Sequence, residues 1–374
     1  MKTSSKSSFP ILLFCGLCYL LLELFRPFVS DVLQDNGFIL TENFDTMFLY
    51  VLIYLVVFPI IILIFQFISK KENKISIKSG FRKPEKSFLW VVKWLLIAFS
   101  ASMIISIIGT YLLFAISAII GVDVTGTNMF FPTATALVVP NYIVYTVPML
   151  VFAPIFEELF FRGVAYKNDE KLGFVFASIT SSLLFGFWHM TASQIILAST
   201  LGFFSCYLYR KTGSIFPSMI LHFFTNLKSV FGLFILERMN ISNMSDYMSM
   251  SEEMITEHLT EILLLLALLM FIGVLTLVGF VLFIITIVNK KMEIKPEEYV
   301  VLPMVKNETE LVEPEKISED VVDESEPSVH DIIEEPESVE KKMSGFKKTL
   351  LYYCSPVTVI TYAVLIYGLI MRIL

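Results

Sequence analysis

The stretch VPMLVFAPIFEELFFRGVAY (147–166) places two adjacent carboxylates, Glu157 and Glu158, inside an apolar run, with Arg162 one helical turn further on. Burying a charge in hydrocarbon costs roughly 2.5–3.5 kcal/mol on insertion scales and more in simulations. Residues four apart share a helix face, so Glu158 and Arg162 can form an ion pair. Glu157 faces about 100° away and needs a partner from another helix. The run therefore predicts a buried polar site.

The composition is that of a membrane protein. The 374 residues are 56% hydrophobic and 17% charged, with a mean hydropathy of +0.73, whereas soluble domains are about 45–50% apolar and about 25% charged. We expect an integral, multi-pass membrane protein, in the plasma membrane if the source is bacterial, with membrane lipid as a partner. The net charge of -7 comes from the acidic segment 306–341, and no nucleic-acid partner is expected.

Nine apolar runs approach the length of about 20 residues that crosses a bilayer. They lie at 9–29, 47–69, 88–118, 140–165, 172–190, 192–209, 215–235, 262–288 and 350–372. The predicted fold class is therefore all-α, a polytopic bundle of about eight to nine transmembrane helices.

Basic residues collect in alternate loops, which predicts the orientation of the bundle. The loop 70–87 carries seven Lys or Arg, whereas 30–46 carries none. Basic residues also follow the fourth, sixth and eighth runs, at 167–171, 210–211 and 290–291. Because basic loops stay cytoplasmic, the N-terminus is expected inside and the C-terminus outside.

The chain divides into five predicted regions. They are N-terminal transmembrane helices (1–139), a core that carries the polar site (140–235), an extracellular loop with a further transmembrane helix (236–290), an acidic disordered cytoplasmic tether (291–348) and a C-terminal transmembrane helix (349–374). The tether is expected to be disordered because it is acidic and poor in aromatic residues.

Two further apolar runs carry polar residues. SSLLFGFWHM (181–190) contains His189, and SMILHFFTN (218–226) contains His222 and Asn226, which share one helix face. A carboxylate paired with a histidine can deprotonate water for attack on a peptide carbonyl. A second histidine and an amide can stabilise the oxyanion. Two histidines with one or two carboxylates also suit Zn²⁺, and with no HExxH motif in the chain a metal stays open.

Three motifs in this order resemble those of the CAAX prenyl protease and bacteriocin-processing (CPBP) intramembrane endopeptidases. They are EE-xxx-R, F-xxx-H and H-xxx-N, carried by Glu157, Glu158, Arg162, Phe185, His189, His222 and Asn226. The resemblance covers about 140–235 and implies a CAAX-protease-like bundle acting on a peptide or membrane-protein substrate. It implies that Glu157 and His189 activate water, with His222 and Asn226 at the oxyanion site. Eukaryotic relatives cleave prenylated CAAX proteins, and bacterial ones are linked to peptide maturation and bacteriocin immunity.

Two other interpretations use the same residues. The glutamates and Arg162 could be a structural ion-pair cluster, and the chain could be a membrane immunity or scaffold protein that retains the protease fold without cleaving peptides. One geometric condition tests the catalytic interpretation. Counted along its own span, His189 lies about 25 Å from the cytoplasmic end, against about 12 Å for Glu157. Water activation requires the two residues to lie within about one helical turn of the same level.

Overall fold

The computed structural model describes residues 52–73, 77–124, 146–170, 173–189, 191–239 and 250–289, with a few isolated positions outside these ranges. Its α-helices are α1 (Phe58–Asn73), α2 (Phe88–Ile120), α3 (Ala153–Phe160), α4 (Lys167–Asp169), α5 (Phe174–Trp188), α6 (Ala192–Thr212), α7 (Phe216–Arg238), α8 (Glu252–Glu257) and α9 (Leu259–Val288). The described residues form helices and their connections, which confirms the all-α class.

Four of these helices, α2, α6, α7 and α9, are long and apolar enough to cross a membrane. They correspond to four of the nine predicted spans. The spans at 47–69 and 172–190 contain shorter apolar helices, Leu52–Ile64 and Phe174–Trp188. The predicted spans 9–29 and 350–372, and the acidic tether 291–348, fall outside the ranges given above.

The predicted span at 140–165 is an irregular helix. A π-helical segment, Pro148–Phe152, leads into α3, and a second, Phe161–Tyr166, leads from α3 into α4. A third π-helical segment, Leu52–Val57, precedes α1. π-Helical turns are rare and often occur at functional sites. All three of these segments border the polar site.

The loops that the charge count placed on one side contact one another. The Lys167 amine donates to Ser79 Oγ at 3.0 Å, and Arg82 Nε donates to the Gly213 carbonyl at 2.7 Å. These contacts join the loop before α2, the end of the 140–165 span and the turn after α6. Burial lowers the pKa of Lys167, and the positive charge of Arg82 lowers it further, while Glu170 opposes the shift. The three loops therefore lie on one side of the bundle, as predicted.

The helix α9 packs against α2 through a narrow strip of small residues. Only Gly279 and Thr286 of α9 are buried, and most of its Leu, Ile and Val side chains point away from the described helices. Ser100 Oγ on α2 donates to the Thr276 carbonyl at 2.7 Å. A Cβ on Gly279 would collide with the Leu96 carbonyl and lie 2.6 Å from Ser100 Cβ. The absence of a side chain at Gly279 therefore sets how closely the two helices approach.

We expect Gly279→Ala to destabilise the protein by about 1–3 kcal/mol, because the new methyl group pushes α9 away from the α2 backbone. Gly273→Ala is the matched control: it lies on the same helix, and a Cβ there meets nothing within 4 Å among the described residues. In the control, the free energy of unfolding should rise by up to about 1 kcal/mol, because Ala has a better helix propensity than Gly. Thermal unfolding in detergent measures both. Equal midpoints for the two variants would contradict the packing argument.

Candidate functional site

Glu157 is buried, and its two carboxylate oxygens have different surroundings. Oε1 accepts a hydrogen bond of 2.6 Å from the Tyr54 hydroxyl and one of 3.3 Å from Trp188 Nε1. Oε2 makes no hydrogen bond within the described part of the chain and lies 3.8 Å from His222 Nε2. That separation is longer than a hydrogen bond. The carboxylate is thus held at one oxygen and directs the other toward the imidazole of His222.

Glu158 forms the ion pair that the sequence predicted, and it has a second partner. Its Oε2 lies 3.2 Å from Arg162 Nε, and both side chains are 0% exposed. Its Oε1 lies 3.1 Å from His222 Nδ1. His222 therefore stands between the two glutamates, with Nδ1 toward Glu158 and Nε2 toward Glu157. The spacing in the sequence predicted Arg162 as the partner of Glu158. The contact with His222 was not predicted, and it connects Glu158 to the rest of the site.

The Arg162 guanidinium lies over the ring of Phe185, 4.4 Å from its centroid, in a cation–π arrangement. A glycine on α6 makes room for it, since a Cβ on Gly202 would lie 3.0 Å from Arg162 Nη2 and equally close to Ser182 Cα. Phe185, the first residue of the F-xxx-H motif, therefore packs against the cation that neutralises Glu158.

Phe185 also contacts both histidines. Its ring makes edge contacts with His189, at a centroid distance of 5.0 Å, and with His222, at 5.4 Å. Trp188, the residue before His189, touches the Glu157 carboxylate, and a shared level of His189 and Glu157 stays a prediction. His189 Nδ1 lies 2.8 Å from the Phe185 carbonyl, so Nδ1 carries the hydrogen and Nε2 is left to accept a proton.

Asn226 lies one turn beyond His222 on α7, as the spacing predicted, and its amide donates to the Met149 carbonyl at 2.7 Å. Met149 belongs to the π-helical segment before α3. Each π-helical segment thus contributes a contact to the site. Tyr54 comes from Leu52–Val57, Met149 from Pro148–Phe152 and Arg162 from Phe161–Tyr166. One amide hydrogen of Asn226 is occupied by Met149, and its second is available to another acceptor.

Tyr54 and Trp188 were not predicted as residues of the site. Trp188 lies beside His189 in the run 181–190, and Tyr54 lies in the region 1–139, outside the predicted core. A weak signal existed, because buried Tyr and Trp usually need a partner for their polar atom. Nothing in the sequence distinguished these two from the other aromatic residues of the apolar spans.

Zn²⁺ was left open by the sequence. Within the part of the chain that the structure describes, no three His, Cys, Asp or Glu side chains are grouped as a metal site. The ring nitrogens of His222 face the two carboxylates, and His189 Nδ1 faces a backbone carbonyl. His189 Nε2, His222 Nε2 and Glu157 Oε2 are the remaining candidate donors, and three is the number of protein ligands usual for a catalytic zinc, so the zinc alternative stays open.

Comparison with known proteins finds a family match that covers the residues of the site. Residues 139–228 match the family described as Type II CAAX prenyl endopeptidase Rce1-like. A protein of Bacillus subtilis (strain 168) named "Putative membrane peptidase YdiL" is 30% identical over 90 residues, or 22% of this chain and 37% of that relative. The match therefore spans little more than a third of the length of that relative. No solved structure matches the chain. The six predicted site residues, from Glu157 to Asn226, all lie within 139–228.

We expect Arg162→Met to destabilise the protein by about 3–5 kcal/mol, because it leaves the Glu158 carboxylate buried without its cation. Adding Glu158→Gln should recover part of this loss, because the uncompensated charge is then removed. Arg238→Met is the matched control, since Arg238 pairs with Glu261 at 3.0 Å but its side chain is 59% exposed. This substitution should lower the free energy of unfolding by about 0–1 kcal/mol. Unfolding in detergent measures the free energy of unfolding of the wild type and of each variant. A loss at Arg162 no larger than at Arg238 would contradict the assignment.

Proposed function

We propose that the protein is a CPBP-type intramembrane endopeptidase that hydrolyses a peptide bond of a membrane-associated substrate, because residues 139–228 match the family described as Type II CAAX prenyl endopeptidase Rce1-like. The observation that carries the proposal is the 3.8 Å gap between Glu157 Oε2 and His222 Nε2 inside a buried site. A water molecule beside the two atoms would contact a base, Glu157 Oε2, and a proton donor or acceptor, His222 Nε2. The proposed reaction is therefore hydrolysis by activated water.

In this mechanism Glu157 is the general base. Its Oε2 takes a proton from water as the water oxygen attacks the scissile carbonyl carbon, and the carbonyl oxygen becomes an oxyanion. The proton then passes to the leaving nitrogen as the C–N bond breaks, which gives a carboxylic acid and an amine. His189 assists because its Nε2 is left to accept a proton. General acid–base catalysis of this kind contributes about 10²–10⁴-fold to a rate.

The oxyanion is stabilised by donors on α7. Once His222 Nε2 carries a hydrogen, the Glu158 carboxylate at Nδ1 stabilises the positive imidazolium. Asn226 offers its second amide hydrogen, while Met149 holds the first. Arg162 balances the negative charge of Glu158 and supports the helix that carries both glutamates. Each such donor is worth about 10²–10³-fold in turnover.

The substrate class follows from the family rather than from a particular contact. The description of the matched family names CAAX prenyl endopeptidases, so we propose a peptide or protein held at the membrane, with a prenylated CAAX terminus as the first type to test. A bacteriocin-type peptide is a second type of substrate to test. One assay that contains both prenylated and unprenylated peptides distinguishes the two types.

We expect Glu157→Gln and His189→Ala each to lower cleavage by about 10²–10⁴-fold. The assay uses the full chain in vesicles with a quenched peptide library, one half carrying a farnesylated cysteine four residues from the C-terminus. Glu257→Gln and His258→Ala are the controls, since Glu257 is the exposed last residue of α8 and His258 connects α8 to α9, and they should retain activity. Normal cleavage by both Glu157→Gln and His189→Ala would refute the protease mechanism. Wild-type protein that cleaves no member of the library would favour a scaffold.

We expect cleavage to continue in the presence of EDTA or 1,10-phenanthroline, because among the described residues no three His, Cys, Asp or Glu side chains are grouped closely enough to hold a metal ion. The measurement is the initial rate in the same vesicles before and after chelation. Loss of activity that added Zn²⁺ restores would show that the attacking water is activated by a metal, and Glu157 would then be a candidate ligand.

A further inference from the structure

Tyr54 comes from outside the region that matches the family, yet it makes the shortest hydrogen bond to Glu157. It lies 103 positions before Glu157 in the chain, on the π-helical segment before α1. The O···O distance of 2.6 Å is typical of a hydroxyl that donates to a charged carboxylate. Both residues are buried, at 7% and 2% exposure, so water does not compete for this bond.

The Tyr54 ring is held by neighbouring aromatic rings. It stacks on Phe58 with a centroid distance of 5.5 Å and an interplanar angle of 4°, and on Tyr50 at 6.2 Å. Phe58 in turn makes an edge contact with Trp188 at 5.8 Å. The two donors to Glu157 Oε1, Tyr54 and Trp188, are therefore parts of one packed aromatic cluster, which limits the movement of both.

We propose that Tyr54 is a positioning residue that, with Trp188, anchors Oε1 of Glu157 so that Oε2 is the oxygen that takes the proton from water. This inference rests on the proposed function, in which Glu157 is the base. A carboxylate can rotate about its Cγ–Cδ bond and exchange its two oxygens. Two donors on Oε1 oppose that rotation and keep the lone pairs of Oε2 directed at His222 Nε2. Tyr54 acts through Glu157 and need not touch the substrate.

The test is Tyr54→Phe in the full chain, which removes the hydroxyl and keeps the ring stacked on Phe58 and Tyr50. We expect kcat to fall about 10- to 100-fold, a part of the about 10²–10⁴-fold contributed by general base catalysis, with KM unchanged. The unfolding temperature should also fall modestly, because a buried carboxylate loses one hydrogen bond. Tyr50→Phe, which makes the same change one turn earlier, should retain wild-type kcat. Trp188→Phe should lower kcat less, because its bond to Oε1 is longer.

The outcomes distinguish a failure of the positioning role of Tyr54 from a failure of the proposed function. If Glu157→Gln is inactive and Tyr54→Phe cleaves its best library peptide with wild-type kcat, the positioning role is refuted and the proposed function stands. A fall in both kcat and unfolding temperature, matched by Tyr50→Phe, refutes it as well, because the hydroxyls would then be structural. If Glu157→Gln itself remains active, the proposed function fails, and the role of Tyr54 fails with it.

Discussion

The site depends on placing two adjacent carboxylates in an apolar bundle with one full cation beside them. Glu157 and Glu158 carry two negative charges when ionised, and Arg162 supplies one positive charge. Since a buried charge without a partner is costly, the remaining carboxylate must be stabilised by hydrogen bonds or a shared proton. His222, between the glutamates, can supply that proton, and Tyr54 and Trp188 supply neutral donors. A site short of one positive charge is suited to taking a proton from water.

The adjacent glutamates contact different neighbours because they lie on the regular helix α3. On a regular helix, successive side chains point about 100° apart, and here one faces Tyr54 and Trp188 while the other faces Arg162. The π-helical segments on either side of α3 interrupt the regular hydrogen-bond pattern, and one of them presents the Met149 carbonyl to Asn226. Because π-helical turns are less favourable than α-helical ones, the packing of the surrounding helices must stabilise them.

Much of this arrangement could be predicted from local rules. Hydropathy predicted the helices α2, α6, α7 and α9, and spacing of four predicted both the Glu158–Arg162 pair and the shared face of His222 and Asn226. Contacts between helices could not be predicted, because spacing gives the direction of a side chain on its own helix but not the rotation of one helix against another. For that reason the bond between His222 and Glu158 was missed. Tyr54 was missed because a hydroxyl on a buried ring resembles any other packing aromatic in the sequence.

Tyr54 lies outside the matched region 139–228, although it contacts a residue inside that region. That region contains the proposed base, both histidines and the asparagine, so its residues account for the identity of the proposed reacting groups. The orientation of the base is a separate property, because a carboxylate with both oxygens equally solvated has no preferred oxygen for the proton. In the proposed mechanism the preference comes from Tyr54, a donor that lies before the matched region. The proposed chemistry and its geometry are therefore encoded in different parts of the chain, because the π-helical segment Leu52–Val57 contributes to the site together with α3.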